Sequence, residues 1–295
     1  MPDEPFIRTD DPRRGILLMV TAHLFFSVMF AMTKVLTDRF PLVEVAFFRN
    51  LFGLIPVLIM VAAGGGRRLL RTRRLSGHVW RASIGLTSMV LQFQSYHLMP
   101  LADAVAYSFA APLFVTGLSV PLLGERVGVW RWSAVAVGFV GVLVMAQPTA
   151  AIINPGAPVA VASAFAYALA MIAIRQLSRT EAPLTTIVYF TAIATLISGA
   201  LLPFFWVTPD LRSLALMLAM GVTGGTGQYF LTRAWSLGEA AVIGPFGYSA
   251  LLWSAGLGWI YWGDVPTLEV LGGAAIVVAS GLVILYRERP KPSGP

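Results

Sequence analysis

Ser88, Gln92, Ser95 and Tyr96 stand at i, i+4, i+7 and i+8 in an otherwise apolar stretch, so a helix there carries one polar stripe. A second apolar stretch answers with Thr223, Thr226, Gln228, Tyr229 and Thr232. Amides and phenols of this kind bind by hydrogen bonding and stacking and break no covalent bonds. In hydrocarbon an unpartnered amide is costly, so Gln92 and Gln228 either bond across helices or face a wet cavity. Tyr107, Ser108, Tyr167, Tyr248, Ser249 and Trp253 extend the same chemistry. A tyrosine can stack on an aromatic ligand while its hydroxyl donates, which suits a small amphipathic molecule. Core packing or an interfacial aromatic belt is the other reading of these rings.

Residues for bond-making chemistry are scarce. The chain has no cysteine and only three histidines, His23, His78 and His97, far apart and without an HExxH pattern. No metal site, cofactor or catalytic residue is therefore expected. Gly64-Gly65-Gly66-Arg67-Arg68 lacks the Lys-Ser/Thr end of a phosphate-binding loop, which removes a nucleotide-driven pump.

Three ionisable side chains inside apolar runs are candidates for a gating or charge role. Arg49 sits about seven residues into its run, where it snorkels, pairs with Glu44 or meets a substrate. Lys34 ends the first run, as an anchor or as an attractor of carboxylates. His23 is the histidine well inside a run, with packing and proton carriage both open. Glu44, Asp103, Glu239, Asp264 and Glu269 all fall near run ends, so no carboxylate is placed to carry a proton at mid-membrane.

The elements that must position these groups follow from composition. Charged residues make up 12% of the 295 and hydrophobic ones 57%, with a mean hydropathy of +0.76; soluble domains carry roughly 25% charge. Runs long enough to cross a bilayer core of about 30 Å occur ten times. They span 15–37, 42–62, 79–98, 101–123, 129–147, 156–177, 183–206, 213–236, 239–261 and 266–286. The first run ends in Lys34 and lacks a small-residue cleavage site, so it reads as a retained helix rather than a signal peptide.

The net charge of +7 raises the question of an acidic partner. With both termini in the cytoplasm, 17 of the 21 Lys and Arg residues, Arg81 among them, fall on the cytoplasmic side. The excess then marks orientation and contact with anionic lipid, not nucleic acid.

Shifting the sequence on itself reveals a repeat. At about 140 residues, His23-Leu24-Phe25-Phe26 lies over Ala164-Phe165-Ala166-Tyr167 and Lys34 over Arg175, and Phe48 then meets Phe190 after a one-residue gap. At 136, Gly85 meets Gly221 and Gln92 meets Gln228; at 139, Gly124-Glu125 meets Gly263-Asp264. Five helices per repeat is an odd number, so the halves cross the membrane in opposite directions, with a site near the midplane between them.

The duplication comes with Pro112…Leu123-Gly124-Glu125-Arg126, Trp132…Gly138…Gly141 and, in the second half, Gly263-Asp264…Gly272-Gly273…Gly281. On these features the chain resembles the drug/metabolite transporter superfamily, in its EamA-domain branch, over about residues 15–286. It departs from the pattern in Asp264, where Glu is common, and in Val265, opposite Arg126. Within the superfamily it most resembles the YddG-type bacterial exporters of aromatic amino acids.

The resemblance implies an all-α integral membrane protein with ten transmembrane helices, arranged as two inverted five-helix repeats around a central cavity. Helices 1, 3, 4, 6, 8 and 9 line that cavity and 2, 5, 7 and 10 are peripheral. The expected organisation is a cytoplasmic tail at 1–14, one repeat at 15–147, the second at 148–286 and a cytoplasmic tail at 287–295. The expected function is export of small amphipathic metabolites, amino acids and among them aromatic ones first, across the cytoplasmic membrane by alternating access, by a monomer, with a dimer as the alternative. A proton-coupled drug, nucleoside or sugar-phosphate transporter of the same fold is the second reading.

Overall fold

A computed structural model describes residues 11–64, 70–124, 128–146, 155–177, 180–237 and 244–287. Arg67, Arg68, Glu125, Arg126 and Glu239, each invoked above, lie outside the described residues. Among the described residues eleven α-helices follow one another: α1 Pro12–Thr37, α2 Leu42–Gly64, α3 Leu75–Leu98, α4 Leu101–Ser108, α5 Ala111–Leu123, α6 Val129–Ala146, α7 Gly156–Leu177, α8 Pro183–Phe205, α9 Leu211–Ser236, α10 Ser249–Trp262 and α11 Leu268–Arg287. The described residues contain no strand. A 3-10 turn, Gly244–Tyr248, precedes α10. With α4 and α5 as halves of one broken helix, ten membrane-crossing segments result, six of them long and apolar enough to span by length and composition.

The helix ends show why the segments stop and start. Asp11 and Asp210 cap α1 and α9 by accepting from the amides of Arg14 (3.0 Å) and Ser213 (2.7 Å). Gly124 and Gly263 close α5 and α10 at φ +68° and +71°, a left-handed conformation that glycine adopts without the strain of a Cβ. They are the pair that the 139-residue shift superposed, so the duplication extends to backbone conformation.

Packing obeys the same symmetry. The contact of α1 with α9 is matched by that of α7 with α3, the repeat equivalents, while α2 with α8 and α6 with α11 pair across the pseudo-twofold. At the last seam a Cβ on Gly141 would stand 2.7 Å from the Gly273 carbonyl, so these motif glycines set how closely α6 approaches α11. The core joins both halves, with Met29, Tyr96, Ala104, Tyr107, Ala164, Met220, Ala250 and Val277 in one cluster. Leu17, Ile59, Leu196, Phe204, Leu252 and Ile260 remain exposed, as a hydrocarbon surround allows.

Two features break the symmetry. Among the described residues α1 meets α3, whereas α7 and α9 make no comparable contact, and α2 packs on α9 more extensively than α8 packs on α3. α2 and α8 are thus not peripheral, as the resemblance implied. They pack on α3 and α9 and complete the wall between them.

Candidate functional site

The broken helices supply the first part of the site. Pro112, at the start of α5, has no N–H to continue the α4 ladder. The chain therefore leaves helix at Phe109 and Ala110, and the Ser108 hydroxyl turns back onto the Val105 carbonyl at 2.6 Å. In the second repeat Gly244-Pro245 holds the equivalent stretch as a 3-10 turn. The two breaks meet: the rings of Phe109 and Tyr248 pack edge to face at 5.1 Å.

His23 on α1 faces the second break, its Nε2 3.4 Å from where a Cβ on Gly247 would be, with Phe26 as ring neighbour at 6.0 Å. The Ser249 hydroxyl is buried there without a hydrogen-bond partner among the described residues. Below it, Trp253 donates to the Val20 carbonyl (3.3 Å), and Ser27 bonds Ser254 (3.1 Å), stitching α1 to α10.

The stripe on α3 forms the second part. Gln92 donates to the Ala104 carbonyl of α4 (3.4 Å) and accepts from the Ser163 hydroxyl of α7 (3.1 Å). Ser88 and Ser163 exchange hydroxyl-to-carbonyl bonds at 3.1 and 2.9 Å. Tyr96 is fully buried against Phe30 (5.1 Å) and Phe93, and Tyr107 is buried on α4. Gln92, Tyr96 and Tyr107 thus form one interhelical junction. Tyr229 is exposed beside Phe230 (5.7 Å) and lies apart from it, while Gln228 sits on the same helix among partners of its own.

The cations form the third part. Arg49 does not pair with Glu44, which accepts instead from the Val207 amide at 3.0 Å. Residues five apart on a helix point about 140° away from each other, which explains the mismatch. Arg49 donates to Asn50 (3.1 Å), and its Nε lies 3.6 Å from the Cβ position of Gly224, at the middle of α9.

Arg81 was placed on the cytoplasmic rim by the charge tally. Its side chain instead runs up α3 into the bundle, with the guanidinium stacked on Phe190 of α8 at 3.7 Å. Nη1 stands 3.2 Å from the Cβ position of Gly85. Nε and Nη1 are buried with no hydrogen-bond partner among the described residues. Tyr167, Arg49 and His78, which itself lies 3.8 Å from Glu181, are close enough to interact with it. Tyr167 of α7 is 51% exposed. The signal for Arg81 was present in the sequence, since it precedes Gly85, Ser88 and Gln92 by four, seven and eleven residues on one helical face.

Lys34 closes the end of the bundle far from the termini. It donates to the Met99 carbonyl of α3 (3.1 Å), pairs with Asp264 after α10 (3.4 Å) and lies 5.1 Å over the Trp262 ring. Asp38 and His97 add a second link at 3.0 Å between the ends of α1 and α3.

α9 is unbroken, so its glycines serve packing rather than a hinge. A Cβ on Gly221 would stand 2.5 Å from the Phe52 Cβ, and one on Gly225 would meet Pro56 and the Gly53 carbonyl. Gly224 and Gly227 face α1 in the same way. Among the described residues no group of three His, Asp or Glu is disposed to hold a metal ion.

Two opposed five-helix halves, broken helices meeting between them and polar groups in the interior define the secondary-transporter class. Two segments, 13–147 and 154–286, each match the EamA-like transporter family, and the chain belongs to that family. It is 34% identical over 273 residues to the pseudopaline exporter CntI of Pseudomonas aeruginosa, covering 90% of this chain and 94% of that one. It is 29% identical to an S-adenosylmethionine uptake transporter of Rickettsia prowazekii, over 95% of each chain. A solved crystal structure with 22% identity superposes with a TM-score of 0.64 over 95% of this chain and 99% of the other, which shows the fold. The protein is a multi-pass membrane transporter of small molecules, not an enzyme.

Proposed function

We propose that the chain exports small amphipathic metabolites, aromatic amino acids first among them, across the cytoplasmic membrane by alternating access, with both termini in the cytoplasm. The observation that carries this reading is the asymmetry between the repeats. α1 and α3 are latched at the far end by Lys34, Asp264, Asp38 and His97, whereas among the described residues their equivalents α7 and α9 make no comparable contact. Exchanging these two arrangements between the halves would move the opening from one face to the other. On this reading the latched end is the outer one: a solute enters from the side of the termini, and release requires the Lys34 latch to part.

Tyr167, Tyr248 and Trp253 supply ring surfaces, and Ser108, Ser249 and the amides supply hydrogen bonds, the mixture an amino acid with an aromatic side chain needs. The export direction agrees with the name of the Pseudomonas relative. Every acidic residue described lies at a helix end or in a loop, so transport runs down the solute's own gradient without a proton carried at mid-membrane.

The test uses purified protein in liposomes preloaded with labelled Phe, Trp, Thr or a sugar phosphate. Release of Phe or Trp that persists with proton and sodium gradients collapsed is the expected result. Release of no amino acid overturns the reading, and flux that requires a proton gradient overturns its energetics. Gln92→Ala, Tyr96→Ala, Gln228→Ala and Tyr248→Ala should each lower flux in folded protein.

A further inference from the structure

The least explained feature of the interior is a pair of arginines without a counter-ion. Arg49 comes from α2 and Arg81 from α3. Arg49 Nε lies beside Gly224 at the middle of α9, and Arg81 Nη1 beside Gly85, near the middle of α3, so both long side chains deliver their head groups to the interior of the bundle. Among the described residues, the one hydrogen bond Arg49 donates goes to neutral Asn50, and Arg81 stacks on Phe190 without reaching any carboxylate.

A guanidinium cannot shed its proton to escape this setting. An unpaired cation inside a membrane protein is costly, and a structural role would show an acidic partner or backbone carbonyls around it. Among the described residues Arg81 has neither, and Arg49, a like charge, lies close enough to act on it. Two positive forks with an exposed phenol close by are half of an ion pair whose other half is mobile.

We propose that Arg49 and Arg81 form a subsite for a carboxylate of the transported solute, with the Tyr167 hydroxyl as a further donor. This inference rests on the transport reading and deepens it, for it names the group by which the substrate is held. The first repeat supplies both cations and α7, of the second, the phenol. The carboxylate therefore sits where the halves meet, between α2, α3, α7 and α8, and the rest of the solute extends toward the helix breaks at Phe109 and Tyr248. A solute lacking an acid group leaves the two guanidiniums facing each other and is rejected.

The experiment measures thermal stabilisation of the full chain in lipid nanodiscs by phenylalanine, 3-phenylpropionate and phenylalaninamide, with Kd from titration. The two acids should stabilise and the amide should bind at least tenfold more weakly. R49Q and R81Q should each weaken the acids at least tenfold while leaving the amide unchanged, and R81K should recover part of the loss. Equal binding of acid and amide, wild-type Kd values in a folded R49Q or R81Q, or no stabilisation by either acid overturns the subsite. If R81Q does not fold, R49Q and the wild-type acid-to-amide ratio decide. Failure of the export reading looks different: acids bind with arginine dependence, yet loaded liposomes release no amino acid.

Discussion

Replacing Lys34 with Met keeps most of the aliphatic stem and removes the charge that holds the far end shut. Three contacts are lost: the hydrogen bond to Met99 at 3.1 Å, the ion pair to Asp264 at 3.4 Å and the approach to Trp262 at 5.1 Å. A hydrogen bond from a charged donor contributes about 1.5 kcal/mol at the low end of its range. The cation over the ring adds about 0.5 kcal/mol. The ion pair, with its side chains 12% and 28% exposed, adds little beyond this. The latch is thus worth about 2 kcal/mol, or a factor of about 30 in the ratio of open to closed far face. Asp103 lies near enough to Asp264 to repel it once the lysine is gone, which pushes the same way. The chain contains no cysteine, so a single one at Ala102, buried beside the latch, reports opening by its reaction with a membrane-impermeant maleimide. Labelling should be about 30-fold faster in Lys34→Met than in the parent, with Asp264→Asn changing it in the same direction by less. An unchanged or slower rate in Lys34→Met would refute the latch.

Gly225→Ala should lower the unfolding midpoint, with a cost of about 1–3 kcal/mol from overpacking, because its Cβ meets Pro56 and the Gly53 backbone; Gly117→Ala, which meets nothing within 4 Å, is the control. Gly263→Ala, at φ +71°, should cost roughly 1–2 kcal/mol through left-handed strain alone, and Gly124→Ala the same; thermal denaturation that leaves both variants at the parent's midpoint would contradict the symmetric closure of α5 and α10. Asp210 is held below the usual carboxylate range by hydrogen bonds from Ser213, so its stabilisation is complete above the unfolded value near ~3.9 and fades as pH falls through the folded value. The midpoint difference between the parent and Asp210→Ala should accordingly narrow from pH 6 to pH 3, and a constant gap would show that capping is independent of the charge.

The spanning segments were legible because the bilayer imposes length and apolarity on each of them. α7 spans the residues read from sequence, and α1, α2, α6, α8 and α11 differ by three residues or fewer at each end. The break between α4 and α5 was missed although Pro112 was recognised as part of a motif, since a proline near a helix start and one that divides a helix look alike in sequence. The interruption at Gly244-Pro245 was legible, because two helix-disfavouring residues stand together. The glycines of α9 admitted both a hinge and a seam, and only the partner surface on α2 and α1 decides between them. Arg81 escaped because a charge tally assigns a residue by its backbone position, whereas this side chain carries its charge about a turn further into the bundle.

The repeat divides the work between symmetry and its violation. Helix breaks, left-handed glycines and the α6–α11 seam occur in equivalent places, as a device with two related states of similar energy requires. The two interior arginines do not follow: the register that puts Phe48 over Phe190 puts Arg49 over Thr191, and the register of Gln92 over Gln228 puts Arg81 over Met217. Thr191 bonds its own helix at the Ile187 carbonyl (2.9 Å), and Met217 is fully buried. Both unpaired cations therefore belong to one half. A solute has no twofold axis, so a site made of equivalent residues would bind its two ends alike, whereas cations supplied by one half give it a single orientation while the paired frame supplies the motion.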